Sequence, residues 1–471
     1  MSQIQPPTPY PALPRGWKLR RLGIRVGIPI LLFLLVVAEA ILLGKELYIF
    51  AAALVGIPAL LLALEFAMQR HDLFTILVLI AALFIPLSFS TGRSSRLVLS
   101  LVLATGFLAL WLFQMFTDRQ FRIRSTPVNL PAYLFVLAVV VSLVWGMVFR
   151  DPALNVWGSF PLVQAASTLL IVISIAVVLL TGNLVTEPKM LKWMVGLFLA
   201  AGVLGILDNF LPFIKLPVNT RGLFAMWVVS ISFSLAIFHR KLAPWVRIAF
   251  MVLAFSWVYW GYGLNVSWLA GWVPVIAVIM MIGFFRSPKL AVGMLILLAL
   301  VVVLSWDYLS QVIDLENRIS GTTRLAAWGM NWRITKDHLL FGTGPAGYAI
   351  YYMTYFPNQA MATHNNYLDM LAQTGIVGFG LMMWFFIRLL WMGWRLLRRL
   401  RGRGDFFEAL AAACLAGTLG GLMMMFFGDW LFPFAYTQTI AGFDYSVYNW
   451  IFMGVILSLD KMTPPVEGAA R

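Results

Sequence analysis

Charge is scarce in this 471-residue sequence: Asp, Glu, Lys and Arg together make up 11% of it, where a soluble domain carries about 25%. So little charge cannot clothe a water-facing surface of this size, which argues against an ordinary soluble enzyme. Cysteine is nearly missing. Cys414 stands alone in an apolar run, AAACLAG, which excludes an intramolecular disulfide and a cysteine metal cluster. There are four histidines, so one placed in a polar setting needs an account. No carboxylate cluster of the kind that holds a divalent ion stands in the long polar loop described below. The alternating pattern of barrel strands is absent as well.

What is there is apolar. Hydrophobic residues form 61% of the chain and the mean hydropathy is +0.88. Continuous runs near the length of a bilayer crossing predict an all-α, polytopic helical membrane protein. About 14 spans are expected, near 26–44, 47–66, 72–89, 97–116, 129–148, 160–182, 190–209, 222–238, 246–263, 267–285, 290–306, 366–394, 407–427 and 445–459. The opening MSQIQPPTPYPALP is proline-rich and expected to be disordered, with no cleavable signal peptide visible.

The net charge of +15 does not imply nucleic acid. The basic residues sit in short clusters between apolar spans, where membrane topology explains them. Placing Arg15, Lys18, Arg20, Arg21 and Arg25 in the cytoplasm and alternating leaves most of the basic residues inside, including the run WRLLRRLRGRG at 394–404. The chain then divides into a basic cytoplasmic N-terminus (1–25), eleven spans (26–306), an extracytoplasmic loop (307–365), three spans (366–459) and a cytoplasmic tail (460–471). Both termini face the cytoplasm.

The loop at 307–365 is unusually long for a compact protein, and connections of that length are mostly functional when they are not disordered. This one is rich in Trp, Tyr and Leu, so order is expected. Leu325, Trp328 and Trp332 recur at helical spacing and predict an apolar face lying on the membrane or on the bundle. The helix should begin near Thr322 or Thr323, set Arg324 at its start and end near Phe341. GTGPAG, at 342–347, lacks the Lys-Ser/Thr ending of a phosphate loop and reads as a tight turn where backbone passes close to something. Tyr348, Tyr351, Tyr352, Tyr355 and Phe356 read mostly as an interfacial aromatic belt.

The loop closes with ATHNNYLDMLAQTG, residues 362–375. A helix starting near Thr363 would put His364 on one face with Leu368, Leu371 and Gly375 and turn it into the bundle at the rim. Gly375 would then admit another helix. Asn365 and Asp369 are candidates for orienting an acceptor; an ionisable group at that depth is costly and often functional. Arg221, in LPVNTRGLFAMW, lies on the same outer side as Arg324. Two guanidiniums meeting at one point would clamp a diphosphate through bidentate bonds. Arg93 and Arg96 read as surface residues, and Asp337 and His338 as structural. Asp429 and Asp444 flank the last outer loop, with a role in admitting an acceptor left open.

Taken together, the string from Arg324 to Gly375 resembles the signature region of the O-antigen ligase and polymerase superfamily. The matching pieces are Arg324 with Trp328, then DHLLFGTGPAGY, then HNNYL, with His364 and Gly375 spaced as histidine–ten residues–glycine. The resemblance implies a GT-C-like membrane glycosyltransferase, inverting and metal-independent, without a cofactor. Its donor would be a polyprenyl (undecaprenyl) diphosphate-linked glycan. Its acceptor would be another glycan, a lipopolysaccharide core or a protein, on the outer face of the cytoplasmic membrane, alongside other polysaccharide-assembly proteins. By position, Arg324 matches the loop arginine and His364 the loop histidine, the latter suited to act as general base. Arg221 matches an earlier arginine, although Ala225 stands where that motif has leucine. A lipid-linked oligosaccharide flippase is the alternative from another class. It would carry charge along a cavity within the spans, whereas the unusual polar content here gathers on one outer loop.

Overall fold

The computed structural model describes Arg70 and residues 73–464, except 91–95, 121–122, 212, 214, 266–268, 317–320 and 357–359. All the described residues but Arg70 lie in one compact unit, His71–Arg471. The expected spans at 26–44 and 47–66, the N-terminal segment 1–25, Arg93 and the end of the tail lie outside the described residues.

From residue 73 onward, every expected span falls on a helix. These are α1 (Phe74–Phe84), α2 (Leu99–Thr117), α3 (Asn129–Val148), α4 (Phe160–Leu184), α5 (Pro188–Phe210), α6 (Phe224–Phe238), α7 (Pro244–Val258), α8 (Leu269–Arg286) and α9 (Pro288–Leu304). The long loop contributes α10 (Trp306–Glu316), α11 (Thr322–Asp337) and α12 (Ala349–Tyr355), and α13 (Asn366–Leu400), α14 (Phe406–Met424) and α15 (Phe443–Met462) follow. Seven of the helices are long and apolar enough to cross a bilayer, or eight if α9 and the first part of α10, bent by 74° from each other, count as one span. The protein is thus a helical membrane protein.

The all-α expectation is corrected at one place. Pro86 cannot continue a helix and holds Ile85 extended, so α1 stops at Phe84. A two-stranded antiparallel ribbon follows, β1 (Ser88–Ser90) with β2 (Arg96–Val98), in the register Phe89 opposite Leu97.

The centre of the bundle is α4 against α15 and α6 against α14. Their packing rests on small residues and buried polar links, as expected where water supplies no drive between helices. A Cβ on Gly417 would lie 2.4 Å from the Trp227 ring, so that indole fits only because the position is glycine. Its Nε1 donates to Asn449 Oδ1 at 2.6 Å. Ser230 donates to the Ala413 carbonyl and Ser458 to that of Thr181, each at 2.8 Å.

One end of the bundle gathers basic residues. Arg399 and Arg124 both reach Asp460, at 2.9 and 3.1 Å. From Gly375 to Leu400, α13 runs roughly 37 Å at the standard rise per residue, more than the roughly 30 Å hydrocarbon core. The arginine-rich end and the start of α13 therefore lie a full membrane thickness apart.

Candidate active site at the His364 turn

The loop before α13 folds as a cap with its own small core: Ile334, Tyr348, Ala349, Met361, Ala372 and Phe434. In α11 the buried stripe is Asn331, Ile334 and Thr335, with Arg324 and Trp328 half-buried along the same side. Leu325 and Trp332 point outward instead, 65% and 45% exposed. The expected apolar face is thereby split: Trp328 turns in and the other two turn away. Trp328 turns in for a polar reason, since its Nε1 donates to the Thr363 carbonyl at 2.8 Å. The spacing from Arg324 to Trp328 is one helical turn, so the arginine shares the side of α11 whose indole grips Thr363, and its charge is felt at His364.

The turn after α11 comes sooner than expected, at Asp337 rather than Phe341. Residues 339–343 then run backbone-to-backbone along α13. Ile376 N donates to Leu339 O at 2.8 Å, and Thr343 N to Ala372 O at 2.9 Å. For this α13 breaks at Gly375, which has φ 65° and ψ −173°. A Cβ there would sit 2.2 Å from the Leu340 carbonyl oxygen. The expected role of Gly375 is corrected accordingly: a loop backbone passes at that position, not a neighbouring helix. Gly342, at φ 71°, faces the Gln373 carbonyl at the same crossing. Amides of the GTGPAG turn are taken up within the fold, among them Ala346 N on Gln373 Oε1 at 2.7 Å, which fits a tight turn rather than a phosphate loop.

The crossing holds the start of α13, and here the helical phase expected for His364 is also corrected. The helix begins at Asn366, and His364 precedes it with φ 49°. Asn365 is the cap: its side-chain oxygen accepts from the amides of Tyr367 and Leu368 at 3.0 and 3.2 Å. That cap, 3% exposed, fills the role expected of an N-cap asparagine. Asn366 ties the same corner to the last outer loop, donating to Phe432 O at 2.8 Å and accepting from Phe432 N at 3.1 Å.

His364 is aimed at that last loop. Its Nδ1 lies 3.5 Å from Asp429 Oδ1, with the histidine side chain 42% exposed and the aspartate side chain 2% exposed. The imidazole is reachable from outside while its partner is sealed. Asp429 also accepts from the Thr437 hydroxyl and, at 3.4 Å, from Gln438 Nε2. Burial opposes ionisation of Asp429, but its bonds with His364 and Thr437 outweigh it and hold the carboxyl below its usual range. The bond to Asp429 raises the histidine above its ordinary value against burial, and the nearby charge of Arg324 pulls the other way. Asp369, the other acceptor candidate, is 1% exposed. It accepts from the Tyr348 and Thr363 hydroxyls, and so braces the turn from behind.

Arg221 sits on the far side of the same loop. Its backbone is fixed by Tyr448, whose hydroxyl donates to the Arg221 carbonyl at 2.5 Å. It lines a cavity of about 570 Å³ together with Asn219, Thr437, Gln438, Asp444 and Tyr445. Gln438 joins that cavity to the histidine, accepting from the Tyr445 hydroxyl and donating to Asp429. Arg324, His364 and Asp429 thus form one electrostatic group, with Arg221 one side chain removed from it. Arg96 lies exposed on β2. His338 bonds Tyr351 in a separate cluster, and burial holds its pKa low.

Residues 266–383 match the family model described as O-antigen ligase. That segment is 118 of the 471 residues, and over it the chain is similar to the O-antigen ligase/polymerase superfamily. A comparison with curated proteins found no match. The matched segment contains Arg324, His364 and Gly375 but stops short of Asp429, Thr437 and Gln438. Asp429 stands out in the sequence as a flank of the last outer loop; Thr437 and Gln438 do not, and their polar contrast with the apolar residues before them in DWLFPFAYTQ is the signal that could have marked them.

Proposed function

We propose that this protein is an inverting glycosyltransferase. It moves a glycan from a polyprenyl diphosphate-linked donor to an acceptor hydroxyl at the outer face of the cytoplasmic membrane, for polymerisation or ligation of cell-surface polysaccharide. The observation that carries the reading is the pairing of a reachable histidine with a sealed carboxylate beside an arginine. His364 accepts the proton of the acceptor hydroxyl through Nε2, while Asp429 holds Nδ1–H and stabilises the imidazolium that forms. The acceptor oxygen attacks the anomeric carbon from the face opposite the diphosphate. The bond from that carbon to the diphosphate oxygen breaks, its electron pair leaves with the polyprenyl diphosphate, and the configuration inverts. Arg324 and Arg221 stabilise the charge on the leaving group, a role arginine fills without a metal ion.

Orientation supports the same reading. The basic end of the bundle, with Arg398, Arg399, Arg401 and Arg403, is the one the positive-inside rule favours for the cytoplasm, which supports an outward-facing His364. The direct test is transfer by the purified protein in detergent from a lipid-linked glycan, without a membrane gradient. A passive or gradient-driven flippase would form no glycosidic bond there. Deletion of the gene distinguishes the acceptor. Accumulated single repeats on lipid mark a polymerase, and accumulated full-length chains mark a ligase.

A further inference from the structure

Three sizeable cavities open on the described bundle, and their linings differ in kind. One of about 720 Å³, between α5, α6 and α7, is walled by Phe210, Ile248, Met251, Val252, Phe255 and other mostly apolar side chains. One of about 640 Å³ lies near His239, toward the opposite end from His364. The third, about 570 Å³, is the cavity that holds Arg221. Beside an apolar side that includes Leu83, Phe84, Ile85 and Leu216, it brings one guanidinium, one carboxylate, the Tyr445 ring and several amide and hydroxyl side chains into one space. That polar set, which the other two cavities lack in this combination, fits a sugar ring attached to a phosphate.

The carboxylate is Asp444, in the first turn of α15. Ser100, from the start of α2, donates its hydroxyl to Oδ1 at 2.5 Å and so fixes the group against the wall. This leaves Oδ2 to accept from a ligand. Tyr445 follows it and bonds Gln438; Gln438 and Thr437 also line the cavity, and those two bond Asp429 as well. The wall next to the cavity is therefore the wall behind His364.

We infer that this cavity receives the first sugar ring of the lipid-linked donor, and that Asp444 reads its hydroxyls. The inference rests on the glycosyltransferase reading and adds to it a specificity-determining residue. A ring covalently joined to a diphosphate held by Arg221 must lie within a few ångströms of it. The Thr437–Gln438 side directs its anomeric carbon toward His364. A carboxylate accepts from two neighbouring sugar hydroxyls with stronger bonds than a neutral group makes.

The test measures binding to the full-length protein in nanodiscs with two probes, undecaprenyl diphosphate and the same lipid carrying one hexose. The wild type should bind the glycosylated lipid more tightly. Asp444→Asn keeps the shape and can still accept from Ser100. It should weaken binding of the glycosylated lipid by about 10- to 100-fold, the range for a hydrogen bond to a charged group, and leave the bare lipid unchanged. Bare-lipid binding also reports that the variant is folded. Equal weakening of both probes, or of neither, overturns the assignment, as does a wild type to which the sugar adds nothing. A wild type that binds neither lipid overturns the donor reading itself, a result separate from those three.

Discussion

The bundle and the cap are held together in opposite ways. In the bundle, side chains fit side chains: Trp227 lies over Gly417, and single hydroxyls such as Ser230 bridge to a neighbouring carbonyl. In the cap, backbone lies on backbone, and polar side chains set main-chain direction. Residues 339–343 cross α13 at Gly375, Asn365 caps the helix, and Trp328 grips Thr363. Backbone contact leaves no slack for an added atom, and it fixes angles that side-chain packing would leave soft. A base and its carboxylate need that kind of hold, because a displacement of about 1 Å can cost about 100-fold in rate.

The sharpest way to break this comparison is to remove a histidine from each end. His364→Ala should lower glycan transfer by about 100- to 10,000-fold, the range for a lost general base, with donor binding kept. His239→Ala, in the capping turn at the far end of α6, should leave transfer within about twofold. Turnover of a lipid-linked donor in detergent measures both. Near-normal transfer by His364→Ala in well-expressed protein would remove it as the base.

A smaller but still large effect is expected from one methyl group. Gly375→Ala puts Cβ against the Leu340 carbonyl in a backbone region nearly reserved for glycine, which itself costs roughly 1–3 kcal/mol for alanine. The crossing should open and transfer should fall by about 100-fold. Gly380→Ala, in the same helix with open space around it, should be neutral or stabilise by up to about 1 kcal/mol. If the two variants behave alike in thermal unfolding and in turnover, the crossing is not what holds the cap.

These contrasts also explain what could be read from the sequence. The helices were legible because a bilayer imposes length and apolarity on each run: from residue 73 every expected span overlaps a helix, and seven or eight of these described helices are long and apolar enough to cross. The cap was legible as residue types but not as geometry. His364 was placed in helical phase with Gly375, yet the chain turns at positive φ before the helix starts. Nothing in local spacing announces that, because the turn is set by Trp328, Asp369 and the loop carrying Asp429, which are distant in the chain or buried. Asp429 could be seen as a polar residue in an apolar stretch, but its partner lies 65 residues away.

Next in size is a change of pH profile. A base must be neutral to act, and Asp429 favours the protonated histidine, so transfer should rise with pH through the raised His364 value. Asp429→Asn removes that bias. The acid limb should move to lower pH, while the plateau falls by about 10- to 100-fold as a charge-assisted bond is lost. Were His364 a cation that holds diphosphate, activity would instead decline as pH rises, and Asp429→Asn would draw that decline to lower pH. Rates measured from pH 5 to 9 separate the two.

The smallest effects make the finest comparison, because they delete the same chemistry from the two regions. Trp328→Phe removes one donor from the Thr363 carbonyl, and Ser230→Ala removes one from the Ala413 carbonyl, both from bonds of 2.8 Å. Each should cost about 0.5–1.5 kcal/mol of stability, so thermal unfolding will barely tell them apart. Turnover should. Ala413 lies mid-helix in α14, where the ladder and the surrounding packing hold its carbonyl in place. The Thr363 carbonyl belongs to the residue just before the His364 turn, outside any helix, and Trp328 sets its direction. Trp328→Phe should therefore lower the transfer rate by about tenfold with donor binding intact, and Ser230→Ala should leave it unchanged. Equal rates for the two variants would mean that the turn is held without Trp328, and that the link from the α11 indole to the histidine carries packing alone.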